Sequence, residues 1–130
     1  MKRIITFGTF DIFHYGHLKI IERASELADE LIVGISSDEL NFKKKGRNPI
    51  YSQEERMKIV SSLSFVSGVF LEESLELKRE YLVKHNADAL VMGCDWTGKF
   101  DEFKDICEVI YLPRTPDIST TDLIEKIKLI

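Results

Sequence analysis

The stretch "RIITFGTFDIFHYGH", residues 3–17, decides the fold. It begins as a largely apolar run from Ile4 to Phe7 and breaks at Gly8. Directly after it, "GHLKIIERASELAD" (16–29) sets Leu18, Ile21, Ala24, Leu27 and Ala28 on one helical stripe. A strand feeding an amphipathic helix is the first half of a strand–helix–strand unit. Four further apolar runs continue the pattern: "ELIVGIS" (30–36), "VSGVFLE" (66–72), "DALVMG" (88–93) and "CEVIYLP" (107–113). Their near-continuous Val, Ile, Leu and Phe content predicts strands mostly buried on both faces. Helical patterns lie between and after them. "SQEERMKIVSSL" (52–63) opens on a Ser cap and acids, "SLELKREYLVKHN" (74–86) ends in Lys, His and Asn, and in "ISTTDLIEKIKLI" (118–130) Ser119 or Thr120 can cap a terminal helix. The alternation predicts an α/β, Rossmann-like open parallel five-stranded sheet with helices on both faces, wound by right-handed crossovers. "NFKKKGRNPIY" (41–51) lacks periodicity and reads as a mobile loop.

A chain of 130 residues, 44% hydrophobic and 31% charged, fits one soluble domain over 1–130 with one core. With 18 basic against 22 acidic side chains the net charge is −4, which argues against nonspecific binding to a nucleic-acid backbone. Any phosphate chemistry is therefore local. Cys94 and Cys107 form no C-x-x-C and no metal-ligand spacing, so neither a disulfide framework nor a zinc site is expected, and a reducing cytoplasm fits. "MKRIITFGTFD" is interrupted too early for a signal-peptide core, and no apolar run approaches the ~20 residues of a membrane span.

In open α/β sheets ligands bind beyond the carboxyl ends of the strands, so candidate chemistry lies just after each strand. After the first come Gly8, Thr9, Phe10, Asp11, His14, Gly16 and His17. Glycine permits close backbone approach, a helix start offers free N–H groups to an anion, and two imidazoles there can stabilise charge growing on a phosphoryl oxygen. The plainer alternative is a capping residue plus a surface histidine. After the fifth strand, "RTPDISTT" supplies Arg114, Thr115, Ser119, Thr120 and Thr121, a guanidinium and hydroxyls at a helix start that suit a phosphate cradle. After the fourth, "MGCDWTGKFD" (92–101) brings Asp95 and the lone Trp96, suited to a base or a sugar; the alternative is a tryptophan covering the core. The lysine run 43–45 after the second strand is either a solvated charge run or a source of one lysine that swings over phosphates. There is no G-x-x-x-x-G-K-[ST] and no G-x-G-x-x-G. A nucleoside triphosphate fits this equipment.

"GTFDIFHYGH" together with "RTPDISTT" resembles the cytidylyltransferases of the HxGH nucleotidyltransferase superfamily, and "MGCDWTGKFD" is similar to their glycerol-3-phosphate branch. The resemblance implies transfer of a cytidylyl group from CTP to sn-glycerol 3-phosphate, with Mg²⁺ carried by the triphosphate and no dedicated protein metal site. It also implies a homodimer and a product used for teichoic acid, capsule or another glycan. Carried over, His14, His17, Lys44 and Arg114 are the catalytic candidates. Thr9, Phe10, Asp11, Asp95, Thr115, Ser119 and Thr120 join the histidines and Arg114 around the nucleotide, and Asp11, Lys44 and Arg56 face the acceptor. Lys43 or Lys45 aligns as well as Lys44, and Arg56 reads equally as one half of a helix-surface ion pair. Ser64 and Ser67 stand where the family has an arginine and an acid; either the acceptor differs here or a structural ion pair has been lost whole, which is nearly neutral. Rival readings are another alcohol phosphate as acceptor, adenylyl transfer from ATP, or a catalytically silent nucleotide sensor.

Overall fold

Five parallel strands run in the spatial order β3-β2-β1-β4-β5: β1 (Arg3–Gly8), β2 (Glu30–Ser36), β3 (Gly68–Glu72), β4 (Ala89–Gly93) and β5 (Glu108–Leu112). The structure, a computed structural model, describes residues 1–113 and 120–130. Around the strands lie α1 (Tyr15–Glu26), α2 (Asp38–Lys45), α3 (Gln53–Ser61), α4 (Lys78–Lys84) and α5 (Thr120–Lys128), with short 3₁₀ turns at Leu75–Leu77, Cys94–Trp96 and Asp101–Asp105. This is the expected Rossmann-like open sheet. No helix among the described residues is long and apolar enough to cross a membrane.

Strand alternation splits the expected single core into two. Ile4 and Val33 point to the face covered by Ile21 and Ala24 of α1 and Val60 of α3. Ile5 and Phe7 point to the other face, against Leu82 of α4 and Phe103. The central strands β1, β2 and β4 are buried almost end to end, whereas the edge strands β3 and β5 are half-buried, because each has a neighbour on one side only.

Topology places the site. The chain builds β1, β2 and β3 outward in one direction, then returns past β1 to lay down β4 and β5, so strand order reverses between β1 and β4. β1 pairs with β2 from Arg3 to Gly8 but with β4 only at Ile4 and Ile5. The carboxyl half of β1 therefore parts from β4, opening a crevice at the switch point where such sheets bind ligands.

Two elements differ from expectation. Residues 41–45 are not loop but the second half of α2. Ser37 caps it by accepting from the Leu40 N–H at 3.0 Å, Asp38 and Glu39 occupy its first turn and Lys43–Lys45 its last, and Gly46, at φ 73°, ends it in the left-handed region. In α1 the helix stops at Glu26, so Leu27 lies beyond it and is 42% exposed, while Ile20 packs on the core in its place.

Candidate active site

The loop from Gly8 to His14 is tightly wound. Phe10 and Ile12 adopt positive φ (56° and 45°), a costly conformation for residues with side chains and more so for β-branched Ile12. Asp11, between them, holds the turn: one carboxylate oxygen accepts from the Ile12 and Tyr51 N–H groups (3.0 and 2.8 Å), the other from Ile50 N–H (2.8 Å). The Phe10 ring folds back into the core and lies against Gly8, where an added Cβ would meet it at 2.7 Å. Gly8 thus accommodates the Phe10 ring, a demand on this glycine beyond the ligand approach expected of it.

His14 and His17 cap α1 reciprocally. His14 Nδ1 accepts from the Gly16 N–H at 3.0 Å, and His17 Nδ1 accepts from the His14 N–H at 3.3 Å, an imidazole version of the capping box. The rings stack with centroids 3.8 Å apart. The capping alternative is therefore correct as far as it goes, but it also prepares chemistry. An Nδ1 that accepts leaves the proton of a neutral imidazole on Nε2, so both rings become fixed Nε2–H donors. Burial, and then the neighbouring His14, push the His17 pKa down to about 3; burial lowers that of His14 as well. At neutral pH the pair donates hydrogen bonds without carrying charge. Thr120 at the start of α5 sits beside it, with Oγ1 donating to the Asp11 carbonyl at 3.1 Å and lying 3.4 Å from His14 Nε2.

Arg56 is neither a surface pair nor an acceptor contact. It is completely buried and donates to the carbonyls of Thr9 (2.9 Å), Ser36 (2.7 Å) and Tyr51 (3.1 Å) and to Asp38 Oδ1 (2.6 Å). One guanidinium thus ties the ends of β1 and β2 to α2 and α3, and only a charged fork with several partners repays such burial. Buried Asn41 completes the junction, accepting from Thr9 Oγ1 at 2.9 Å and donating to Ser36 and Ser37. Nothing in the local pattern marked Asn41 out.

Two cavities share Gly8 and Thr9 as a wall. The histidine cavity, about 440 Å³, is lined by Asp11, His17, Lys45, Arg47, Thr120 and Thr121, among others. The other, about 390 Å³, lies on the α4 side and is lined by Lys44, Glu72, Lys78, Trp96, Lys99 and Phe100 among others. Consecutive residues of α2 point apart by about 100°. Lys44 therefore reaches the second cavity, where desolvation lowers its pKa, while Lys45 enters the first. Lys43 stays in solvent, 3.6 Å from Glu39. Trp96 lines the second cavity and is 49% exposed, so it is not a cover for the core.

Asp95 is exposed and lines neither cavity. Arg114, Thr115 and Ser119 lie outside the described residues. Ser64 and Ser67 precede β3, at the amino end of the sheet, where Ser67 Oγ accepts from the Leu31 N–H at 3.2 Å. Both cavities open at the carboxyl ends, a strand's length away, and neither serine lines them. Among the described residues no three His, Cys, Asp or Glu side chains converge to hold a metal.

The sequence pattern of the cytidylyltransferase-like family matches residues 5–126. The chain belongs to that family. Glycerol-3-phosphate cytidylyltransferase of Bacillus subtilis (strain 168) is 49% identical over 127 residues, covering 98% of each chain. The enzyme of that name from Staphylococcus aureus (strain NCTC 8325 / PS 47) is 46% identical, over 95% of this chain and 92% of its own. Among solved structures, the lipopolysaccharide core biosynthesis protein of Thermoplasma volcanium GSS1 aligns with a TM-score of 0.75 at 21% identity, over 88% of this cytidylyltransferase-like chain and 98% of its own. That last likeness is one of fold.

Proposed function

We infer that this cytidylyltransferase-like protein is an enzyme that transfers the cytidylyl group of CTP to sn-glycerol 3-phosphate, yielding CDP-glycerol and pyrophosphate. The observation that carries the reaction type is the reciprocal cap of His14 and His17, which fixes two neutral Nε2–H donors at the switch point of the sheet. The nucleotide and the acceptor follow from the relatives.

The two cavities suit direct displacement. With the triphosphate in the histidine cavity and the acceptor in the lysine cavity, the α-phosphorus lies over Gly8 and Thr9, the wall they share. An acceptor phosphate oxygen then attacks from one side, and the bond from the α-phosphorus to its bridging oxygen breaks on the other, as in-line transfer requires. A phosphate monoester is already an adequate nucleophile, so alignment and charge stabilisation are the protein's task. His14 and His17 donate to the non-bridging and bridging oxygens, where charge grows. Lys45 and Arg47, with Thr120, Ser119, Thr115 and Arg114, hold the phosphate tail; Lys44 draws the acceptor phosphate; Asp95 belongs to the cytidine side. Thr9 and Phe10 supply backbone, and Asp11 and Arg56 act by position.

Mg²⁺ enters as part of the CTP substrate. Asp11 is the one carboxylate among the described residues lining the histidine cavity, and its oxygens already accept three backbone N–H groups, a donor set that fits a phosphate-borne ion better than a protein cage. A cytoplasmic homodimer completes the proposal, supported by exposed Ile127, Leu129 and Ile130 at the end of α5. Sedimentation measures that assembly directly. The function is tested by pyrophosphate release across a grid of nucleotides and alcohol phosphates. CTP with glycerol 3-phosphate is expected to dominate, and turnover with ATP but not CTP defeats the cytidylyl assignment.

A further inference from the structure

Lys78 is an unexpected lining group for a cavity that receives a small polar acceptor. Its ammonium lies 2.7 Å from Glu72 Oε2, 3.8 Å from the Phe7 ring centroid and 5.3 Å from that of Phe100. The two charged side chains are 7% and 3% exposed. Glu72 ends β3, Phe7 lies on β1, Phe100 follows β4 and Lys78 opens α4, so four parts of the chain converge on one cation. A carboxylate flanked by aromatic faces is the equipment that holds an organic ammonium ion. Here the chain's own ammonium already fills it.

We propose that Lys78 determines acceptor specificity: by occupying the Glu72–Phe7–Phe100 box it rejects amino-alcohol phosphates and leaves polyol phosphates as acceptors. The inference rests on reading this cavity as the acceptor site. A substrate ammonium entering the cavity meets a like charge in a poorly solvated space and finds its carboxylate and ring face taken. A neutral polyol needs neither, and its phosphate is drawn by Lys44 and Lys99 on the same walls.

The test compares kcat/KM for glycerol 3-phosphate and for phosphoethanolamine, both with CTP, in the native protein, Lys78→Met, Lys78→Gln and the double variant Glu72→Gln/Lys78→Met. Lys78→Met leaves Glu72 facing the rings without a cation, and the preference for glycerol 3-phosphate falls by about tenfold or more. Lys78→Gln keeps volume and a donor for Glu72, shifts the preference the same way, and supplies the reading if the Met variant does not fold. The double variant, lacking the carboxylate, gains no use of phosphoethanolamine. An equal loss on both acceptors in the single variants gives Lys78 a structural part only and overturns the proposal. Native protein inactive with CTP and every polyol phosphate overturns the functional reading instead, so the two failures are told apart.

Discussion

The cavities on either side of Thr9 treat charge in opposite ways. On the histidine side, where His17 lines the cavity and His14 stacks on it, the two groups nearest the proposed chemistry are neutral, held by backbone N–H groups within one turn of helix. In the lysine cavity the key groups, Glu72 and Lys78, are buried ions six residues apart in the chain that neutralise each other beside the rings of Phe7 and Phe100. The difference teaches what each side must do. A donor meeting charge that develops during the reaction works best if its own protonation state does not change, whereas a pocket that sorts acceptors can reject some of them by keeping its own cation where theirs would bind.

The largest effect is expected at the wall both cavities share. Arg56→Ala removes the donor that ties the Thr9 and Ser36 carbonyls to Asp38, leaving the Thr9 carbonyl without its donor and the part-buried Asp38 carboxylate without its cation. Stability should fall by about 3–5 kcal/mol in denaturant titrations, and both substrates should bind poorly in any folded fraction. Selective loss of one substrate would break the picture of a common wall.

His17→Asn separates cap from chemistry. The amide oxygen replaces Nδ1 as acceptor for the His14 N–H, but the Nε2–H is gone. An expected fall of about 10²-fold in kcat, with little change in melting temperature, places the catalytic effect on the donor. A large melting shift at unchanged kcat would make the pair a helix cap and nothing more.

The neutral pair also predicts an acid weakness. The folded pKa of His17 is about 3 against 6.5 for an ordinary histidine, so between these values the unfolded chain binds the extra proton. The stabilising contribution is complete above pH 6.5 and is lost as pH falls toward 3. Roughly 2 kcal/mol should disappear between pH 6.5 and 4.5, read as a falling urea midpoint, and His17→Asn should flatten that slope.

Smaller effects sharpen the division between cavities. Lys44→Ala should raise KM for glycerol 3-phosphate and Lys45→Ala that for CTP, each about tenfold, because adjacent residues of α2 enter different cavities. Lys43→Ala, which removes an exposed pair with Glu39, should leave both constants and stability unchanged within about 0.5 kcal/mol.

Much of the histidine side was legible because its signals are local. His14 and His17 lie three residues apart at a strand–helix junction, and the cap that orients them uses backbone of the same turn. α2 carried equally local signals that lack of apolar periodicity concealed: the Ser37 cap, acids first, lysines last, and Gly46 beyond the end. Read for caps and charge order, residues 37–46 declare a helix. Arg56 differs, since nothing about an arginine in "EERMKI" says that three carbonyls and a carboxylate will surround it.

The amino-acid sequence by itself determined the alternation of strands and helices, the parallel sheet, the family and the paired imidazoles. Each depends on periodicity or on contacts within a few residues, where chain geometry leaves little choice. Only the tertiary structure decided that Thr9 divides two cavities, that Lys44 and Lys45 enter different ones, and that Lys78 rests between Glu72 and the rings of Phe7 and Phe100. Those facts arise where separate strands end side by side, and the order of strands in a sheet, not the order of residues in the chain, chooses the neighbours.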